Sequence, residues 1–275
     1  MSFEAGKAIA VDQQQVAVLS RAMRRTGRPV VLVPLGEGLH AGHVALIRTA
    51  RRIPRAVVIV AWSGEEIPAA FAEEKVDAVW RYRSEQLWPK GLRTLIQPMD
   101  LDLEPVADIA QALTLQLSLI NVVAPSDLVC GEKDYQQLRS LQHALTDLHL
   151  PVTLHGVPTV RMPNGLAISL RNERVAVAER DKALVLAAAL TAGAHSAEHG
   201  AEAVLAITKQ VLDTAQITPE YLQLRSLDLG PAPEIGDARL LVAAEIGGVR
   251  LTDSVGLPLG IGFRNLEQGQ VEQLN

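Results

Sequence analysis

The sequence predicts an α/β protein: a doubly wound parallel sheet flanked by helices, followed by a smaller α+β domain. Three observations carry that expectation. Short apolar runs without polar alternation recur through about the first 170 residues, as strands buried on both faces require. Helical patterns separate them and give strand–turn–helix–strand units. Past Arg171-Asn172 the chain changes to two Ala/Leu-rich helices and then to apolar runs joined by Gly247-Gly248, a hairpin signal.

Taken in order, Gln15–Arg25 is amphipathic and stops at Thr26-Gly27. Pro29–Pro34, a β-branched run bounded by prolines, is the first buried strand. The stretch Gly36-Glu-Gly-Leu-His-Ala-Gly-His43 forms a turn, and a helix is expected over Val44–Arg52. Ala56–Trp62 and Ala78–Tyr82 are the next strands. Val106–Val123 has helical periodicity, with Ala107, Ala110, Leu113, Leu117 and Ile120 on one side. Asp127–Cys130 reads as a strand, Tyr135–Leu148 as a helix and Val152–Val157 as a strand. A boundary is expected near residue 174, dividing the chain into 1–174 and 175–275. In the second part, Ala176–Ala194 and Ala201–Ala215 read as helices joined by the polar Gly193–Gly200 stretch. Glu220–Leu227, Arg239–Glu245 and Val249–Val255 read as strands.

Composition narrows the function classes. The 275 residues include 26 Lys and Arg against 31 Asp and Glu, a net charge of −5, which argues against a nucleic-acid partner held by a basic face. Three Trp, three Tyr and three Phe are too few for a stacking platform. The single cysteine, Cys130, excludes an intramolecular disulfide framework and a Cys-rich zinc site and fits a reducing cytoplasm. Inside an apolar strand it reads as core rather than as a nucleophile. Met1–Gln15 lacks the apolar centre of a signal peptide. Apolar stretches such as Ala183–Leu190 fall short of the roughly 20 residues that cross a bilayer. These observations together predict a cytoplasmic protein with no membrane partner.

Three segments carry candidate chemistry. The first is the turn Gly36–His43, between a buried strand and a helix, where backbone N–H groups and the helix dipole favour an anion. Gly36, Gly38 and Gly42 permit close approach of the backbone to a phosphate. His40 and His43, three residues apart, can project toward one point and stabilise charge developing at phosphorus. Zinc is the alternative, but no third ligand completes a tetrahedron. A tight turn with two solvent-facing histidines explains the same residues. The second segment is Gly131–Gln137, again between a strand and a helix. Lys133 offers a point charge for phosphate and Gln137 a hydrogen-bonding amide, although a charged helix start has the same composition. The third is Ser169-Leu170-Arg171-Asn172, a loop suited to closing over a triphosphate or simply a polar linker. All three fall at predicted carboxyl ends of strands, where such sheets bind ligands.

These residues also carry a resemblance. GEKDYQQL, DLHLPVTLHGVPTVR and NGLAISLRN within Gly131–Asn172, together with His40-Ala-Gly-His43, closely resemble the pantothenate synthetase (pantoate–β-alanine ligase) family of the HxGH nucleotidyltransferase superfamily. The likeness runs along nearly the whole chain. It implies a Rossmann-like fold and a two-step ligation: ATP and pantoate give pantoyl-adenylate and pyrophosphate, and β-alanine then displaces AMP to give pantothenate. Carried over by position, it implies that His40 and His43 hold and polarise the phosphates, with His43 as general acid. Gly131, Lys133 and Asp134 would contact the nucleotide. Pro34, Gly36 and Gly42 would border it, and Val160 with the Ile168, Ser169 and Arg171 loop would cover adenine and phosphates. Gln137 would hold pantoate. Mg²⁺ would arrive with ATP, needing few protein ligands, and a homodimer is the family's usual state.

The chain departs from the family's wording in places. Pro34-Leu35-Gly36-Glu37-Gly38 stands where the family has Pro-Thr-Met-Gly-x, and Ser169-Leu170 stands for Ser-Ser. Ala61-Trp62-Ser63-Gly64-Glu65-Glu66 replaces Phe-Val-Asn-Pro-x-Gln-Phe, and Pro105–Ala112 replaces Arg-Pro-x-His-Phe-x-Gly-Val. Glu37, Glu65 and Glu66 are thus expected near the site of two anionic substrates. An enzyme with another acid substrate and a non-catalytic, nucleotide-binding paralogue are the alternatives.

Overall fold

The computed structural model describes residues 4–99 and 102–261. The first unit is built on a six-stranded sheet, all parallel, of β1 (Ile9–Val11), β2 (Val30–Leu35), β3 (Val57–Trp62), β4 (Ala78–Arg81), β5 (Asp127–Gly131) and β6 (Thr153–Val157). Its spatial order is β1-β4-β3-β2-β5-β6. The chain therefore winds outward from β2 in one direction through β3 and β4, then returns to the other side of β2 with β5 and β6. In open sheets of this kind, such a reversal marks the carboxyl ends of the central strands, here β2 and β5, as the usual place for a ligand.

The apolar runs behave as two-face buried strands. Val31, Val33 and Leu35 of β2 pack with Val58, Val60 and Trp62 of β3 against Leu46, Ile47 and Ala50 of helix α2 (Ala41–Arg52). Val30, Leu32, Val57, Ile59 and Ala61 turn to the opposite face and are fully buried as well. Helices α1 (Gln13–Arg25) and α5 (Val106–Val123) both pack on β2. Pro34 is tolerated inside this central strand for a specific reason. The Val30 carbonyl accepts from Ser126 N–H at 2.9 Å, so Val30, Leu32 and Pro34 all turn their backbone groups toward β5. The β2–β5 register runs only over Val31 and Leu32, and the missing N–H of Pro34 interrupts no ladder bond.

Buried polar groups pin the sheet at its amino end. The Asp77 carboxylate, almost fully buried, accepts from Gly6 N–H and Val58 N–H at 2.7 Å each and from Arg51 at 3.0 Å. On the other side, Asp127 at the start of β5 meets His155 Nε2 at 2.8 Å and Ser126 Oγ at 2.7 Å.

Several elements differ from expectation. The edge strand β1 has only three residues, within the short apolar run Ala8–Val11, and was not expected. The short helices α3 (Ala70–Glu73) and α4 (Ser84–Leu87) lack a full helical period. Helix α5 has the expected bounds, but Ala107 is exposed and Ile109 takes its place in the core. It is also the one described helix long and apolar enough to cross a bilayer by length and composition, in contrast to the shorter apolar stretches expected. Here Ile109, Leu113, Leu117, Ile120 and Val123 are buried inside the protein, and its Thr114 hydroxyl bonds the Ala110 carbonyl at 2.7 Å. Cys130 is buried, and burial pushes its thiol up to about 12, consistent with a core role.

The second unit begins at Arg161, ahead of residue 174. It contains α7 (Arg171–Arg174), α8 (Arg180–His195), α9 (Ala201–Thr214) and an antiparallel sheet of β7 (Tyr221–Ser226), β8 (Gly236–Ile246) and β9 (Val249–Leu259). Gly247 and Gly248 have φ of +58° and +77° between the paired Ile246 and Val249, the left-handed pair that a two-residue hairpin turn demands. Ala176 and the short 3₁₀ turn at Val177–Glu179 precede α8, so the helix starts later than its alanine content suggested. Residues 262–275 of the expected C-terminal domain lie outside the described residues.

Candidate active site

The carboxyl end of β2 leads through Gly36 and Glu37 to Gly38, whose φ is +74°, and then into α2. The helix begins at Ala41 rather than at Val44, with His40 as its extended N-cap residue and the Val44 N–H already bonded to the His40 carbonyl at 3.2 Å. Gly42 and His43 therefore stand in the first helical turn, not in the preceding loop. Glycine's low helix propensity hides this start in the sequence.

The two imidazoles stack face to face, with centroids 3.8 Å apart and an interplanar angle of 19°. A Cβ on residue 42 would lie 2.8 Å from His40 Cε1 and 2.9 Å from Nδ1. Gly42 thus makes the space into which the His40 ring folds. Burial, then the adjacent His40, lowers His43 from 6.5 to about 4, and a hydrogen bond to the Gly38 backbone only partly offsets this. His43 is neutral at pH 7. Among the described residues there is no group of three or more His, Cys, Asp or Glu that could hold a metal ion.

The second predicted segment lies beside the first, across the switch point. Gly131 ends β5, and a Cβ on it would be 3.9 Å from Leu46 of α2, so the α2 helix covers the end of this strand. Glu132 N–H bonds the Val157 carbonyl at 2.9 Å. Gly156 leaves room for the Glu132 side chain, since a Cβ there would approach its Oε1 to 3.1 Å. Lys133 Nζ lies 3.9 Å from Asp134 and keeps 18% of its side chain exposed. Asp134 is the N-cap residue of α6 (Tyr135–Asp147). Of the two adjacent glutamines, Gln136 is buried and its amide oxygen accepts from Glu104 N–H at 2.7 Å. Gln137 remains half-buried in the first turn of the helix. Val160, also half-buried, closes the first unit three residues past β6.

Ile168, Ser169 and Arg171 belong to the second unit and are half-buried there. Ser169 Oγ accepts from Arg171 N–H at 3.2 Å, and Asn172 donates its side-chain amide to the Ala167 carbonyl at 2.7 Å.

Glu37, Glu65 and Glu66 are all exposed. The segment after β3 is tightly organised by groups that the sequence did not single out. Trp62 Nε1 donates to the Glu66 carbonyl at 2.8 Å. Gly64 is obligatory under that indole, because a Cβ would come within 2.5 Å of it. Arg83, two residues past the end of β4, donates to the Ser63 carbonyl and to the Gly64 carbonyl, the latter at 3.3 Å. Burial raises the neighbouring Tyr82 phenol, against which a hydrogen bond to Ser63 works. No sequence signal marks Tyr82 or Arg83, since only the fold brings β3 and β4 side by side.

The sequence profile described as pantoate-beta-alanine ligase matches residues 68–256. A pantothenate synthetase of Corynebacterium jeikeium is 42% identical over 294 aligned positions, covering 98% of this chain and 96% of its own. Among solved structures, a pantothenate synthetase from Thermus thermophilus superposes with a TM-score of 0.78 at 30% identity, covering 90% of this chain and 98% of the other. A pantoate-beta-alanine ligase from Francisella tularensis, solved with β-γ ATP and β-alanine, shares the fold with a TM-score of 0.68 at 23% identity, covering 90% and 97%.

Proposed function

The chain belongs to the pantoate–β-alanine ligase family, and we propose that it condenses pantoate with β-alanine in an ATP-dependent reaction that yields pantothenate, AMP and pyrophosphate. In the first step a pantoate carboxylate oxygen attacks the α-phosphorus of ATP and pyrophosphate leaves. In the second, the β-alanine amine attacks the acyl carbon of pantoyl-adenylate, AMP departs and the amine loses its proton. The observation that carries this reading is the stacked His40–His43 pair at the start of α2, beside the β2–β5 switch point.

The residues divide the work by chemistry. The amino end of α2 and the backbone at Gly36 and Gly42 receive phosphate oxygens. His43, neutral in the free protein, gains a proton when the polyanion arrives, because negative charge favours the imidazolium. It then donates to the oxygen on which pyrophosphate leaves, while His40 holds its ring in place. Lys133 and Arg171 neutralise the charge that builds up during transfer. Gly131, Asp134 and Ser169 bind the nucleotide, Pro34, Val160 and Ile168 flank it, and Gln137 holds pantoate. Mg²⁺ enters as part of the substrate, MgATP. Its oxygen ligands would come from phosphate and water. A homodimer in the cytoplasm is part of the same proposal.

AMP formation by the purified protein is the test. It is expected only with D-pantoate and β-alanine both present, and His43→Ala is expected to abolish it. No AMP at saturating substrates would overturn the reading. The rebuilt Trp62–Glu66 segment favours one second reading, a different carboxylic acid as substrate. ATP–pyrophosphate exchange driven by another acid and not by pantoate would select it.

A further inference from the structure

The second unit contains an ion pair with a buried carboxylate. Arg161 and Asp253 form a two-pronged pair, Nη1 to Oδ2 at 2.7 Å and Nη2 to Oδ1 at 2.9 Å. Asp253 keeps only 5% of its side chain exposed. Its Oδ1 also accepts the N–H of Ser254 at 2.8 Å, which fixes the carboxylate against β9. Burying a carboxylate is unfavourable unless it is paired and hydrogen-bonded, and here both conditions are met.

What the pair holds is a loop. The same guanidinium donates to the Gly165 carbonyl and to the Ser254 carbonyl, each at 3.1 Å. Arg161 and Ala167 are bridged in antiparallel fashion around a turn at Met162-Pro163-Asn164-Gly165, closed by Gly165 N–H on the Met162 carbonyl at 2.8 Å. Proline at the second position and glycine at the fourth suit that turn. Asn172 then ties the next segment to Ala167 at 2.7 Å, and Arg171 Nη1 reaches Thr252 Oγ1 at 3.4 Å on the strand residue before Asp253. The geometry points to Asp253 as a positioning residue: through Arg161 it anchors the hairpin that leads into Ser169 and Arg171, and so sets where those two groups stand within the second unit. The inference rests on the proposed ATP-dependent function for its ligand, whereas the anchoring itself is read from contacts within one unit.

The planar fork of arginine matches both carboxylate oxygens at once, which lysine cannot do. Asp253→Asn removes the charge at constant shape, and Arg161→Lys removes the fork at constant charge. Each is made in the wild-type chain and in an Arg171→Ala background. ATP affinity is measured by calorimetry, and KM for ATP and for β-alanine by AMP release. Either substitution is expected to weaken ATP binding and raise its KM about tenfold in the wild-type background, with less than about a twofold effect once Arg171 is gone. KM for β-alanine stays unchanged. Equal losses with and without Arg171, or a fall in kcat at constant KM for ATP, would overturn the inference and leave a purely structural pair. If Asp253→Asn does not fold, Arg161→Lys carries the test. Wild-type protein that binds ATP but makes no AMP refutes the proposed reaction while the binding arm still decides the positioning role. Wild-type protein that binds no ATP refutes both.

Discussion

The His40 ring occupies the space that a side chain on residue 42 would fill, 2.8 Å from the position of the missing Cβ. A helix start is thereby made to accommodate two stacked imidazoles, at the cost of glycine in the first turn.

Gly42→Ala separates helix stability from site geometry. Helix propensity favours alanine by about 1 kcal/mol, so Tm is expected to stay within about 4 °C of wild type. The displaced His40 ring is expected to lower kcat/KM for ATP at least about tenfold. Unchanged steady-state kinetics would show that the stack is dispensable.

His43 makes the fold acid-sensitive. Its pKa falls from 6.5 in the unfolded chain to about 4 in the folded protein. Between those values the unfolded chain binds a proton that the native site does not, so stability is complete above about pH 6.5 and declines toward pH 4. The contribution is on the order of 2 kcal/mol. Urea unfolding at pH 7 and 4.5 is expected to show that His43→Gln loses less stability than wild type by about that amount; equal losses would contradict it.

The same depressed pKa links nucleotide binding to protons. Phosphate charge raises His43 again, so ATP binding is expected to take up a fraction of one proton and to tighten as the pH falls from 8 toward 6. Calorimetry in buffers of different ionisation enthalpy measures the uptake. His43→Gln is expected to remove it, and uptake that persists in this variant would point to another group.

Gly64→Ala tests the segment after β3. The added methyl would stand 2.5 Å from the Trp62 indole, which is 3% exposed and bonded to Glu66. A destabilisation of about 1–3 kcal/mol is expected from such overpacking, with a shift in tryptophan emission. KM for pantoate is expected to rise more than KM for ATP. A parallel rise in both would place the segment away from the acid.

Asp77→Ala removes the acceptor for two backbone N–H groups and Arg51. Only the Val58 N–H is left buried and unpaired, since Arg51 reaches solvent, and the loss is expected to cost about 1–3 kcal/mol, read as a fall in urea midpoint at constant slope. A loss under about 1 kcal/mol would mean that water replaces the carboxylate.

Much of the fold was legible because burial on both faces writes itself as uninterrupted apolar runs. Val30–Leu35 and Val57–Trp62 differ from their expected bounds by a residue at most ends, and Val106–Val123 is as expected. Short pieces were not legible: Ile9–Val11 has no periodicity of its own and is ordered by pairing with Ala78–Trp80. The start of α2 was misplaced because propensity disfavours Gly42 while the His40 ring requires it.

The candidate site divides in the same way. Sequence alone determined which residue types gather after β2 and β5, since Gly, His and Lys at strand-to-helix turns are local chemistry. It also placed Gln137 rather than Gln136 among the candidates, and the buried tie from Gln136 to Glu104 leaves Gln137 the more accessible of the two. Tertiary structure decided what no local pattern contains. It set the neutral state of His43, because burial and a stacked neighbour are properties of packing. It brought Arg83 to the Ser63 and Gly64 carbonyls and Asp253 to Arg161, residues 92 apart in the chain. Periodicity records which face a residue turns inward, and only the folded chain records what it meets there.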